Sequence, residues 1–215
     1  DDTLCSYHRS GGELIQLAFE EHGIEPFFDV TEYYRRYPEF VDHTETVEQL
    51  RRECFAAIAT DCGYEQQTGY RLADTFAANR DHSAVTALPG AITALERLGE
   101  QYHIGLVTNG APGMQAQKLD SLGIRDAFEI LVHAGYDTPA KPDPAAFDHA
   151  LAHFDAVPEQ AVHIGNSLGS DVAGAQSAGL GAVWLPDGTH QGAPDPMPDY
   201  TLDSLHDLLE PPWIA

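Results

Sequence analysis

Four short stretches of this sequence hold residue types that suit the handling of phosphate. They are Asp1-Asp2-Thr3-Leu4, Thr108-Asn109-Gly110, Lys141-Pro142-Asp143-Pro144, and Gly165-Asn166-Ser167 followed by Asp171. A hydroxyl and backbone amides at a helix start hold phosphate oxygens, and a lysine neutralises them as a point charge. Magnesium takes oxygen ligands, usually one or two carboxylates with substrate phosphate, and the acidic residues of the first and last stretches supply them. A carboxyl beside a scissile bond serves as general acid and base. Each stretch also has a plainer reading. Asp2-Thr3 and Thr108-Asn109-Gly110 suit turns, Asp171 suits a helix cap, and Lys141 suits a solvated loop. Only two lysines occur in the chain, Lys118 and Lys141, which weighs against the last of these. The order and spacing of the four together favour a site.

Such residues need elements to position them. From Ser10 to about Asp81 the apolar spacing is helical, with Leu14, Leu17 and Ala18 on one stretch and Leu50, Cys54, Phe55 and Ile58 on another. Helices are expected near 11–22, 29–37, 46–61 and 65–79, broken at Pro38 and Gly63. After about Val85 the pattern changes to short apolar runs, Ile104–Val107, Ile130–Val132, Val162–Ile164 and Ala182–Leu185. The first three lead into helical stretches near 112–122, 144–154 and 171–178, and another helix is expected near 90–101. Asp143 and Pro144 suit a helix start and Gly179 a helix stop. The alternation implies a doubly wound α/β core around a parallel sheet, carrying an all-helical insertion. In such folds ligands bind beyond the carboxyl ends of the strands, where Thr108 and Asn166 fall.

Composition narrows the partners. The 215 residues, 43% hydrophobic, suffice for a buried core, and no run of eighteen apolar residues or leader-like start appears. Three cysteines without C-x-x-C spacing suggest neither a disulfide framework nor zinc, so a reducing cytoplasm is expected. The 34 acidic residues against 11 basic ones give a net charge of −23, which disfavours nucleic acid as a partner. Acids scattered over every segment, with lysine scarce, are expected of a salt-adapted surface.

The order of the four stretches resembles the four motifs of the haloacid dehalogenase superfamily. Aligned on Thr3, the first motif makes Asp1 the general acid and base, and puts the nucleophilic aspartate two positions upstream of Asp1. Thr108 matches the phosphoryl-binding threonine, with Asn109 beside it, and Lys141 the charge-neutralising lysine. Gly165 to Asp171 match the fourth motif. There Asn166 stands at a metal-binding aspartate position and Asp171 is the motif's final carboxylate, so the implied metal ligands are Asn166, Asp171 and Asp1. The resemblance implies an α/β core at 1–9 and 84–215, with its first strand largely absent, and a helical type 1 cap at 10–83. It also implies a magnesium-dependent phosphatase of small phosphorylated metabolites working through an aspartyl-phosphate, inactive as the chain stands.

Alternatives stay open. A 2-haloacid dehalogenase of the superfamily carries asparagine three positions before the last aspartate, where this chain has Leu168. A sugar-phosphate mutase shares all four motifs, and a non-catalytic metabolite-binding protein on the same fold is the reading from another class. Substrate choice falls to the cap, where Tyr33, Tyr34, Arg35, Arg36 and Arg71 are candidates to face the site or merely the helix surface.

Overall fold

Local signals start and stop the first helices. Ser10 caps α1 (Gly11–His22) through a reciprocal bond with Glu13, and Gly23, at φ +63°, ends it. Asp29 caps α2 (Val30–Arg36), and Thr46 caps α4 (Val47–Asp61) by accepting from the Gln49 amide. As expected, Pro38 breaks the helical stretch, with α2 stopping at Arg36. It opens a further turn, α3 (Pro38–Val41), because a proline at the first helical position loses no hydrogen bond. The last helix here is α5 (Gln66–Asn79), after the turn at Gly63. Leu14, Phe19, Phe28, Tyr33, Phe55 and Phe76 make the centre of a buried cluster that joins these helices. The α4–α5 crossing is close, since a side chain at Gly69 would run into the Ala56 backbone.

The computed structural model describes residues 2–41, 43, 44, 46–188 and 190–214, so Asp1 lies outside the described residues. The chain divides into two units, 8–81, all-helical among its described residues, and 1–7 with 82–215.

The second unit is α/β. It opens with an antiparallel pair, β1 (Cys5–Tyr7) against β2 (Val85–Ala87), which the sequence reading did not anticipate; three-residue strands are too short to show alternation. Then come α6 (Ala91–Gly99), β3 (Gly105–Thr108), α7 (Pro112–Leu122), β4 (Ile130–His133) and α8 (Ala145–Phe154). The unit closes with β5 (Val162–Gly165), α9 (Ala173–Ser177), β6 (Gly181–Trp184) and β7 (Tyr200–Thr201). Between β5 and α9 the chain makes a wide π-type turn at Leu168–Val172. Asp143 does help start α8, by accepting from the Ala145 amide at 2.9 Å.

The parallel sheet is split. Among the described residues β3 pairs with β4, and β5 with β6 and β6 with β7, all in parallel, but β3 and β5 do not pair. Both instead line an open cavity of about 1280 Å³, β3 along its whole length and β5 through Val162, His163 and Ile164. The carbonyls of Ile104 and Thr108 accept from Glu129 and Ala134, so alternation turns the peptide groups of Gly105 and Val107 away from β4. On β5 the carbonyls of Ala161 and Gly165 accept from Gly181 and Leu185, which turns Val162 and Ile164 away from β6. Leu4, Leu95, Leu106, Leu151 and Ile164 supply apolar lining to the cavity.

Candidate active site

Each polar group at the cavity is placed by a strand end. Thr108 is the last residue of β3, and its Oγ1 accepts from the Gly110 amide and from Gln115 Nε2, both at 3.1 Å. With those acceptor positions filled, its own O–H is left to donate outward. Asn109 clasps the backbone of Lys141 in both directions: its Nδ2 donates to the Lys141 carbonyl at 3.1 Å and its Oδ1 accepts from the Lys141 amide at 2.9 Å. That pair fixes the 140s loop to the end of β3.

Lys141 then reaches inward. Its Nζ donates to the Val107 carbonyl at 2.8 Å and to Asp171 Oδ1 at 2.6 Å. The lysine thereby ties the carboxyl end of β3 to the turn that follows β5. Asp171 is engaged on both oxygens. Oδ1 takes Lys141 and, at 3.3 Å, His163 Nε2; Oδ2 takes the Ser167 amide at 2.9 Å. The side chains of Lys141 and Asp171 are 7% and 9% exposed. Burial on its own would raise the Asp171 pKa, but the His163 hydrogen bond and the Lys141 charge hold the carboxyl well below its usual range. Burial pushes His163 the other way, below the ordinary imidazole value, so it sits neutral beside the pair. Gly165 leaves room for this arrangement, because any side chain there would collide with the Asp171 carboxyl.

Asn166 stands one residue beyond β5. Its Oδ1 accepts from Thr3 Oγ1 at 3.1 Å, its Nδ2 donates to Asp187 Oδ2 at 3.3 Å, and its carbonyl accepts from Trp184 Nε1 at 2.8 Å. The first motif and the fourth therefore meet at Thr3 and Asn166. Among the described residues no three His, Cys, Asp or Glu side chains gather as a metal site. Asn166 Oδ1 and Asp171 Oδ2 each accept one hydrogen bond and keep an acceptor position that suits a hard cation, whereas Asp171 Oδ1 already accepts two.

The structure thus brings Thr108, Asn109, Lys141, Asn166 and Asp171 together around one cavity, and Asp1 falls outside the described residues. Sequence reasoning missed His163, Gln115 and Asp187. Of these, only His163 left a signal: a histidine in the middle of the apolar run Val162-His163-Ile164.

The sequence profile of the haloacid dehalogenase-like hydrolases matches residues 1–179. The chain belongs to that family. It is 30% identical over 160 residues to a phosphoserine phosphatase of Thermus thermophilus, covering 74% of this chain and 64% of that protein. The hydrolase YfnB of Bacillus subtilis, solved bound to magnesium, superposes with a TM-score of 0.78 at 23% identity, over 98% of this chain and 94% of that one. A 2-haloacid dehalogenase of Pseudomonas syringae superposes with a TM-score of 0.64 at 28% identity, over 98% and 94%. The chain spans about 54–64% of the length of four curated relatives, each named as a phosphatase or a nucleotidase. Among the described residues no helix is long and apolar enough to cross a membrane.

Proposed function

We propose that this hydrolase is a phosphatase of small phosphorylated metabolites. The observation that carries the reading is the convergence of Thr108, Asn109 and Lys141 at the end of β3, with Lys141 anchored on Asp171. Thr108 Oγ1 donates to a phosphoryl oxygen. Lys141 Nζ, with two of its three N–H groups spent on Val107 and Asp171, gives the third to the phosphoryl group and offsets its charge. Asp171 is the lysine's anchor in this reading, with Oδ1 spent on Lys141 and His163.

The nucleophile belongs in the split between β3 and β5. An extended segment there, about 4.8 Å from each neighbour, meets the peptide groups of Gly105, Val107, Val162 and Ile164. Thr3 and Leu4 line the same cavity, so a strand leading into them ends beside Lys141 and Asn166. A carboxylate at that end attacks phosphorus, forming an oxygen–phosphorus bond as the ester bond breaks. Asp1 gives its proton to the leaving oxygen and then takes one from the water that releases phosphate. Magnesium, held by Asn166 Oδ1, Asp1 and the nucleophilic carboxylate, would offset the phosphoryl charge when bound. The helical unit acts as a cap that selects substrate, the acidic surface is salt-adapted, and the free cysteines suit a reducing cytoplasm.

Two chains test this, the 215 residues and a version extended upstream by a strand that ends in aspartate. Phosphate release from a metabolite panel, in molar potassium chloride with magnesium, is expected only from the extended chain. General acid–base help of about 10²- to 10⁴-fold does not replace a covalent nucleophile. Equal rates from the two chains overturn the mechanism. The likeness to the Pseudomonas dehalogenase supports a second reading, which predicts halide release from 2-haloacids by the same extended chain.

A further inference from the structure

Helix α4 buries Leu50, Arg51, Cys54, Phe55 and Ile58, so an arginine occupies a place in an otherwise apolar stripe. Arg51 is 7% exposed, and its buried Nε has no hydrogen-bond partner among the described residues. Its guanidinium lies over the Phe76 ring, with Cζ 4.8 Å from the centroid. Beside it, burial pushes the Tyr33 phenol up to about 12, an effect that the Arg51 charge partly offsets. A second guanidinium, that of Arg80, comes within 5.7 Å of the same ring.

The missing partner is the unusual feature. Carboxylates outnumber cations 34 to 11 in this chain, and Arg35, Arg36, Arg52, Arg97 and Arg125 all pair with one. Among the described residues no carboxylate oxygen lies within 4.0 Å of Arg51. A buried guanidinium with only a phenol and a ring for company is costly, and its planar fork is shaped for a bidentate oxyanion.

We propose that Arg51, with Tyr33 beside it, forms a binding site for a compact oxyanion, the carboxylate or phosphate group of a small metabolite. The site lies wholly within the helical unit, so it does not rest on the phosphatase reading. The phenol and ring confine the guanidinium, and the anion supplies the charge that the described residues withhold. A macromolecular partner does not suit a residue with so little exposed surface.

The test uses the full chain carrying Lys141→Ala, which removes the candidate phosphoryl contact of the α/β unit, with and without Arg51→Met. Thermal melts are followed by circular dichroism at fixed potassium chloride, with inorganic phosphate in one arm and malonate in the other. A ligand that binds only the folded state raises the midpoint with concentration. At least one arm is expected to raise the midpoint of Lys141→Ala, and adding Arg51→Met should abolish the rise. The responding arm distinguishes phosphate from carboxylate. Without added anion Arg51→Met should melt no lower, because an apolar side chain of similar length suits the stripe. A readout that needs no variant is the Arg51 Nε–H resonance, which should move to a saturated position in the responding arm. No stabilisation of Lys141→Ala by either anion, equal stabilisation with and without Arg51, or a stationary Nε–H signal overturns the site.

Discussion

The two units treat buried charge in opposite ways. The helical unit is packed with aromatic rings, Phe19 edge-on to Phe28 at 5.2 Å and Phe55 edge-on to Tyr33 at 5.1 Å, and its ionisable Cys54 is wholly buried and held neutral. The α/β unit buries an ion pair, Lys141 and Asp171, with His163 against it, at the edge of a large cavity. One unit draws its stability from packing. The other buries a charged pair whose arrangement is stable only while every partner is present, whereas Arg51, the buried charge of the helical unit, has no carboxylate partner among the described residues. Site variants and core variants should therefore fail for different reasons.

The largest test of that contrast is a pair of truncations read by two probes. Both tryptophans, Trp184 and Trp213, lie in the α/β unit, so their fluorescence reports its unfolding, while far-ultraviolet circular dichroism reports both units. Phe55→Ala should cost about 3–5 kcal/mol by opening a cavity in the aromatic core. The loss should appear in dichroism and leave the tryptophan transition nearly in place. Asp171→Ala strands the buried lysine and should cost a comparable ~3–5 kcal/mol, now in the tryptophan transition. Replacing the pair together, as Lys141→Met with Asp171→Leu, should recover much of that stability while phosphate affinity stays lost. Coincident shifts of both probes in every variant would show that the two units unfold as one.

Salt comes next, and it acts on both units. With a net charge of −23, the thermal midpoint should climb as potassium chloride rises towards molar, where the screening length shortens from about 10 Å at 0.1 M to about 3 Å. A midpoint indifferent to salt removes the salt-adapted reading.

The smallest effects are with pH, and their signs differ between units. Burial raises the Cys54 thiol to about 12, so its contribution is whole below the unfolded thiol value and fades as pH rises past it. At pH 10 roughly 1 kcal/mol should be gone from the helical unit, and Cys54→Ala should flatten that slope. Asp171 is depressed, so its contribution is present above the ordinary carboxylate range and is lost as pH falls through it. His163 is depressed too, so the α/β unit should start to weaken below the ordinary imidazole value of about 6.5. Titrating the dichroism and tryptophan midpoints from about pH 2 to about pH 10 checks both signs.

Much of this was legible in the residues. Ser10 with Glu13, Thr46 and Gly23 mark helix ends through local bonds, so α1 and α4 fall within a residue or so of their expected spans. The runs after residue 100 became strands because three or four mostly apolar residues between turn signals are too short for a helix. What stayed hidden depended on contacts distant in sequence. Nothing near Thr3 announces Asn166, 163 residues away, and nothing near Asn109 announces the Lys141 backbone. Arg51 stands three, four and seven residues before Cys54, Phe55 and Ile58, so spacing alone sets it on the apolar stripe; the lack of a carboxylate beside it among the described residues shows only in the structure. The split of the sheet follows from pairing between strands, which no single strand's composition reveals.

The link that Lys141 makes from the Val107 carbonyl to Asp171 has a mechanical consequence. It holds the end of β3 to the turn after β5, two strands that do not pair with each other among the described residues. A load pulling that strand end from that turn is therefore borne in part by two hydrogen bonds at one ammonium group.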